Sequence, residues 1–120
     1  MADPMNLHRW TDTAPEKMND LVTRQVLHCD RMTIARLELK KGAFVPLHSH
    51  PNEQVSMIIA GALRFEIGGE QVVVRPGEML RIPADVPHSA LALEDSVAVD
   101  LFSPVREDWV RGEDAYLRGR

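Results

Sequence analysis

The sequence predicts an all-β domain, and two observations carry that prediction: apolar and polar residues alternate strictly, and turn residues recur at short spacing. Ala35, Leu37 and Leu39 alternate with Arg36, Glu38 and Lys40, and Leu63, Phe65 and Ile67 alternate with Arg64 and Glu66. Successive side chains of a strand point to opposite faces, so each run carries one buried and one wetted face. Between the apolar runs stand Lys40-Lys41-Gly42, Ala60-Gly61, Gly68-Gly69, Pro76-Gly77, Pro83 to Pro87 and Glu94-Asp95. Gly68-Gly69 predicts a tight hairpin, because both central residues of such a turn need positive φ, and Val72-Val73-Val74 is its return strand. No helical periodicity exceeds about two turns. Residues 1–20 and 107–120 read as neither strand nor turn and are expected to pack on the domain or on a partner subunit.

At 120 residues the chain can bury one core but not two, so one domain is expected. Its composition is ordinary for a globular protein, and no apolar run approaches the eighteen or so residues of a membrane span. The start, Met1 to Asn6, has neither a basic nor an apolar export segment, and a cytoplasmic location follows as the expectation. The single cysteine, Cys29, cannot form an internal disulfide and is expected to serve packing in a reducing compartment. A net charge of −4 without any Lys/Arg cluster argues against nucleic acid as a partner. Small anionic ligands stay open, since one arginine in a pocket binds a carboxylate without making the surface basic.

The chemistry is concentrated between Gly42 and Gly61, where His48-Ser-His50-Pro-Asn-Glu53-Gln54 stands out. His-x-His on a strand puts both imidazoles on one face, close enough to share a metal ion. Gln54 has the same parity, and Pro51-Asn52 can bend the chain so that its amide oxygen swings toward the ion. Glu53 is the competing ligand, disfavoured because a regular strand would put it on the opposite face. His88 follows a turn bounded by Pro83 and Pro87, whose locked φ angles restrict where the imidazole points. Three imidazoles and one amide oxygen suit one divalent Zn, Ni, Fe, Mn or Co ion. His8 and His28 lack partners at ligand spacing and are read as structural or surface residues.

Gly42, His48, His50 and Gly61 resemble the first cupin motif, and Gly77, Pro83 and His88 resemble the second. The second motif's inner glycine is Asp85 here, and its final asparagine is Ala92. The resemblance covers roughly residues 32–106 and implies a small cupin β-barrel, the jelly-roll-like double-stranded β-helix. Downstream, Ala98, Asp100 and Phe102 share one strand face while Val97, Val99 and Leu101 share the other, and Pro104 and Arg106 follow. Together with His-x-His-Pro-Asn-Glu-Gln, the run Asp-x-Phe-Ser-Pro-x-Arg is similar to the small cupins of pectin and alginate degradation, the KdgF type.

That resemblance implies linearisation of a cyclic 4,5-unsaturated uronate to 5-keto-4-deoxyuronate. Metal ligands would be His48, His50, Gln54 and His88; Asp100 and Arg106 would be catalytic; Phe102 and Arg106 would hold the sugar acid. A ligand shell without negative charge leaves the ion a full +2 and favours Lewis-acid over oxygen-activating chemistry. The competing classes are a metal-dependent dioxygenase, which would consume oxygen, and a non-enzymatic binding or sensor domain, which would return its ligand unchanged. A homodimer is expected, with the N-terminal segment and edge strands at its interface.

Overall fold

The computed structural model describes residues 4–118; residues 1–3 and 119–120, the extremes of the two unassigned ends, lie outside the described residues. Ten strands form two antiparallel sheets that face each other. They are β1 (Glu16–Lys17), β2 (Val22–His28), β3 (Thr33–Leu39), β4 (Phe44–His48), β5 (Glu53–Ala60), β6 (Leu63–Ile67), β7 (Glu70–Val74), β8 (Met79–Ile82), β9 (His88–Ala92) and β10 (Ser96–Ser103). The larger sheet runs β1-β2-β3-β10-β5-β8 and the smaller β4-β9-β6-β7. Two short helices, α1 (Glu107–Val110) and α2 (Ala115–Arg118), follow the last strand. None of the described helices is long and apolar enough to cross a membrane.

The alternation predicts the buried faces correctly. Thr33, Ala35, Leu37 and Leu39 of β3 are all buried, as are Leu63 and Phe65 of β6. With Ile58, Ala90 and Ala98 they form the core between the sheets. The glycine pair closes the β6–β7 hairpin, with φ of 57° and 80°, and Ile67 pairs with Glu70 across it. Asp85, standing where the motif has its inner glycine, adopts φ 67°, so it keeps the left-handed conformation that the turn requires. Its short polar side chain makes this less costly than for most residues.

Three expectations need correction. The N-terminal segment that reads as neither strand nor turn contributes β1, whose Glu16 and Lys17 pair with Arg24 and Thr23 of β2. Cys29 is exposed in the turn after β2 rather than buried in the core. His50 lies beyond the end of β4 rather than on it, and a register irregularity between Val45 and His48 precedes it. The imidazoles converge through a bend, not through strand parity.

Gly61 shows how closely the turns are fitted. With φ at +83° it lies against Asp95 and Ser96, and an added Cβ would overlap the Ser96 hydroxyl and main chain. That hydroxyl also accepts from the Ala62 amide, so it cannot retreat freely. Gly61→Ala is therefore expected to cost more than about 2 kcal/mol, from combined left-handed strain and overpacking, and to lower Tm by roughly 10 °C. Thermal unfolding followed by circular dichroism checks this; a wild-type Tm would show that the β5–β6 turn has slack.

Candidate metal centre and cavity

The register of β10 assembles one half of the site. Asp100 stands opposite Ser56 and Phe102 opposite Gln54, because β10 pairs with β5 residue by residue from Ala98 onward. The other half comes from the smaller sheet, where His48 at the end of β4 pairs with His88 at the start of β9. His50 reaches the same point from the bend between β4 and β5. One possible ligand atom from each of His48, His50 and His88 lies within 4.8 Å of the others.

Each imidazole is oriented by its own neighbourhood in the chain. Nδ1 of His48 donates to the Pro46 carbonyl at 2.8 Å, Nδ1 of His50 to the Asn52 carbonyl at 3.1 Å and Nδ1 of His88 to the Val86 carbonyl at 2.9 Å. A carbonyl oxygen can only accept, so each Nδ1 carries the proton and each neutral ring is left with a lone pair on Nε2. Burial holds the rings neutral: the pKa values of His48 and His50 are lowered to about 4, and that of His88 is lowered as well. Arg106 opposes protonation of all three.

Gln54 enters the barrel, and Glu53 turns outward into an ion pair with Arg81 at 2.6 Å. The Gln54 amide is itself held in one orientation. The Ser56 hydroxyl oxygen accepts from Gln54 Nε2 at 2.9 Å. That turns Gln54 Oε1 toward the histidines, 3.0 Å from His50 Nε2. Two acceptors thus face each other at contact distance, and Nε2 of His88 is buried without any partner. An arrangement of lone pairs with no donor fits a cation, and hydrogen bonds of this outer kind are what fixes ligands around a metal. The residues present therefore suit one divalent ion.

The remaining predicted residues share the cavity. Asp100 is 9% exposed, its Oδ1 has no partner, and desolvation raises its pKa to about 6 against the pull of Ser56 and Arg106. Arg106 is 1% exposed, with its guanidinium 4.6 Å from the Phe102 ring and 4.2 Å from the Trp109 ring. Its Nε and Nη2 donate to Asp108 at 2.9 and 2.7 Å, and Nη2 also donates to the Tyr116 hydroxyl. Phe102 meets His50 edge-on at 5.6 Å. His48, Gln54, His88, Asp100, Phe102 and Arg106 all line one cavity. His28 serves structure, pairing with Thr33, whose hydroxyl accepts from the Arg106 amide.

Sequence inspection missed several contributors. Asn52, 2% exposed, donates to the Pro104 and Val105 carbonyls and so ties the bend carrying His50 to the segment carrying Arg106. Ser56, Trp109 and Tyr116 were also unmarked. The parity of Ser56 with Gln54 was a usable signal; nothing in the local pattern of 107–118 announced that this tail reaches the cavity.

Comparison with known proteins agrees with this architecture. The family model for the cupin domain matches residues 35–103. The structure of KdgF from Halomonas sp. is 28% identical, with a TM-score of 0.77 over 82% of this chain and 94% of that one. An RmlC-like cupin from Shewanella frigidimarina NCIMB 400 is 26% identical, with a TM-score of 0.81 over 91% and 99%. A single-site variant of oxalate decarboxylase from Bacillus subtilis, 20% identical with a TM-score of 0.74 over 87% of this chain and 31% of that one, shares the fold. A search of curated proteins finds no match. With the family model spanning more than half of the chain and two facing antiparallel sheets around a three-histidine cluster, this protein belongs to the cupin domain family.

Proposed function

We propose that this cupin is a metal-dependent enzyme that opens the ring of a 4,5-unsaturated uronate to give 5-keto-4-deoxyuronate. One observation carries the reading: a buried carboxylate with a free oxygen, Asp100, shares a cavity with a buried arginine and the histidine cluster. The likeness to KdgF from Halomonas sp. supports it. His48, His50, Gln54 and His88 would hold the ion. When bound, a divalent ion in this neutral shell supplies Lewis acidity toward ligand oxygens.

The protein's own groups account for orientation and proton movement. Arg106 binds the uronate carboxylate, and its clamp by Asp108 and its aromatic neighbours fix the guanidinium in advance. Phe102 gives the sugar ring an apolar wall. Asp100 removes the proton from the anomeric hydroxyl as the bond from the anomeric carbon to the ring oxygen breaks, leaving an aldehyde and an enolate. It then returns that proton to carbon 4 as the enolate becomes the ketone at carbon 5. A carboxyl group with a pKa of about 6 is ionised enough at neutral pH to begin as base and acidic enough to finish as acid.

Elemental mass spectrometry is expected to find one divalent metal per chain, lost in His88→Ala. In Ser56→Ala the freed Gln54 amide should weaken metal affinity by about tenfold or more; unchanged affinity would remove Ser56 from the support of the centre. Incubation with 4,5-unsaturated galacturonate, followed by NMR, should show catalysed loss of the ring form.

Asp100→Asn is expected to keep its metal while losing at least about 100-fold in kcat. The base must be ionised, so wild-type kcat/KM should fall as pH drops through about 6, or lower because a bound cation favours the carboxylate. An Asp100→Asn variant with wild-type turnover would end this assignment.

A further inference from the structure

Tyr116 occupies a position that the proposed chemistry leaves unexplained. It sits on α2, beyond the barrel, yet its side chain lines the cavity beside Arg106, and its ring stacks on His48 with centroids 4.4 Å apart and planes at 26°. Its hydroxyl accepts from Arg106 Nη2 at 2.7 Å and from Trp109 Nε1 at 3.1 Å. A phenolic oxygen has two lone pairs and one proton. Both acceptor positions are thus filled, and none of the hydrogen bonds among the described residues uses the proton. Among the described residues Arg106 Nη1 likewise has no acceptor, since Asp108 and Tyr116 engage only Nε and Nη2.

The tail that carries Tyr116 is fastened rather than draped. Asp114 accepts from Arg24 at 2.9 Å with both groups buried, and Asn19 donates to the Leu117 carbonyl at 2.9 Å. Trp109 lies between the guanidinium groups of Arg24 and Arg106, at 4.5 and 4.2 Å. The free space below Tyr116 is about 50 Å³. At about 10–15 Å³ for each water, that is room for a few water molecules, so the position of the Tyr116 ring bounds the size of a ligand. The wall that Tyr116 forms is carried by α2 and lies outside the strand ladders.

We propose that Tyr116 is a ligand-binding residue: its hydroxyl donates to an anionic oxygen of the ligand that Arg106 holds, and its ring forms the wall whose position sets ligand size. A carboxylate, with two oxygens and lone pairs to spare, matches these two donors. A phenol is protonated and able to donate at neutral pH. The inference rests on the uronate reading for the identity of the anion but requires only a small carboxylate.

Tyr116 is the single tyrosine of the chain, so wild-type protein labelled with carbon-13 at the tyrosine Cζ gives one resonance that reports the hydroxyl directly. Titrating zinc-loaded protein with galacturonate, and separately with acetate, should move that resonance to saturation. Tyr116→Phe keeps the ring and removes the hydroxyl, and should bind galacturonate at least about tenfold more weakly, with zinc stoichiometry unchanged. Galacturonate binding with a stationary tyrosine resonance, or equal affinity in the Phe variant, overturns the role of Tyr116 and leaves the uronate reading intact. Failure of the wild type to bind either carboxylate overturns both.

Discussion

Three hydrogen bonds from imidazole Nδ1 to main-chain carbonyls decide what this barrel can do. Each joins a histidine to a residue two positions away, so the orientation of every ring is set by local backbone rather than by long-range packing. The barrel supplies the complementary constraint: pairing of His48 with His88, and of Gln54 with Phe102, brings separately oriented groups to one point. Local geometry fixes the tautomer and topology fixes the meeting place. Neither alone would produce a cluster of lone pairs.

Placing such a cluster inside an apolar barrel has an electrostatic consequence. Neutral imidazoles tolerate burial, but Asp100 and Arg106 are charged groups in the same cavity, and isolated buried charges are strongly unfavourable. Arg106 is compensated on three sides: Asp108 takes two of its hydrogen bonds, Tyr116 a third, and two aromatic rings face its guanidinium. Among the described residues nothing hydrogen-bonds Asp100 Oδ1, and the carboxyl's raised pKa, driven by burial, records the difference. The asymmetry separates their chemistry, since a fully supported arginine stays a fixed cation while an under-supported carboxyl exchanges protons near neutral pH.

Much of this was legible in the sequence, and the boundary between legible and illegible follows contact range. Alternation reports which strand face is buried, and so it placed Ala35, Leu37 and Phe65 correctly. The motif spacing picked out His48, His50, Gln54 and His88, which share the site, and the parity argument against Glu53 agrees with its outward pairing to Arg81. The same parity rule failed for His50, because it presumes a continuous strand and the chain bends there. Cys29 misled because free cysteines are usually buried, whereas this one lies in an exposed turn. Asn52 and Tyr116 act through partners 52 and 10 residues away, and no periodicity encodes such contacts.

The atoms left without partners show where the fold has been shaped by something other than its own stability. Among the described residues three buried side-chain atoms lack hydrogen bonds: Arg24 Nη1, His88 Nε2 and Asp100 Oδ1. Leaving one such group unsatisfied costs about 1–3 kcal/mol, a sizeable share of a small domain's net stability. Apolar residues at positions 88 and 100 would remove that cost while preserving both strands, as Ala90 and Ala98 do one inward step along the same faces. The third orphan belongs to the arginine that anchors the tail through Asp114, where its other nitrogens are well used. The orphans in the cavity have no such structural return. In the proposed reading a cation would take the lone pair of His88 and a ligand proton would reach Asp100, so the least stabilising atoms of the barrel would be those the proposed chemistry uses.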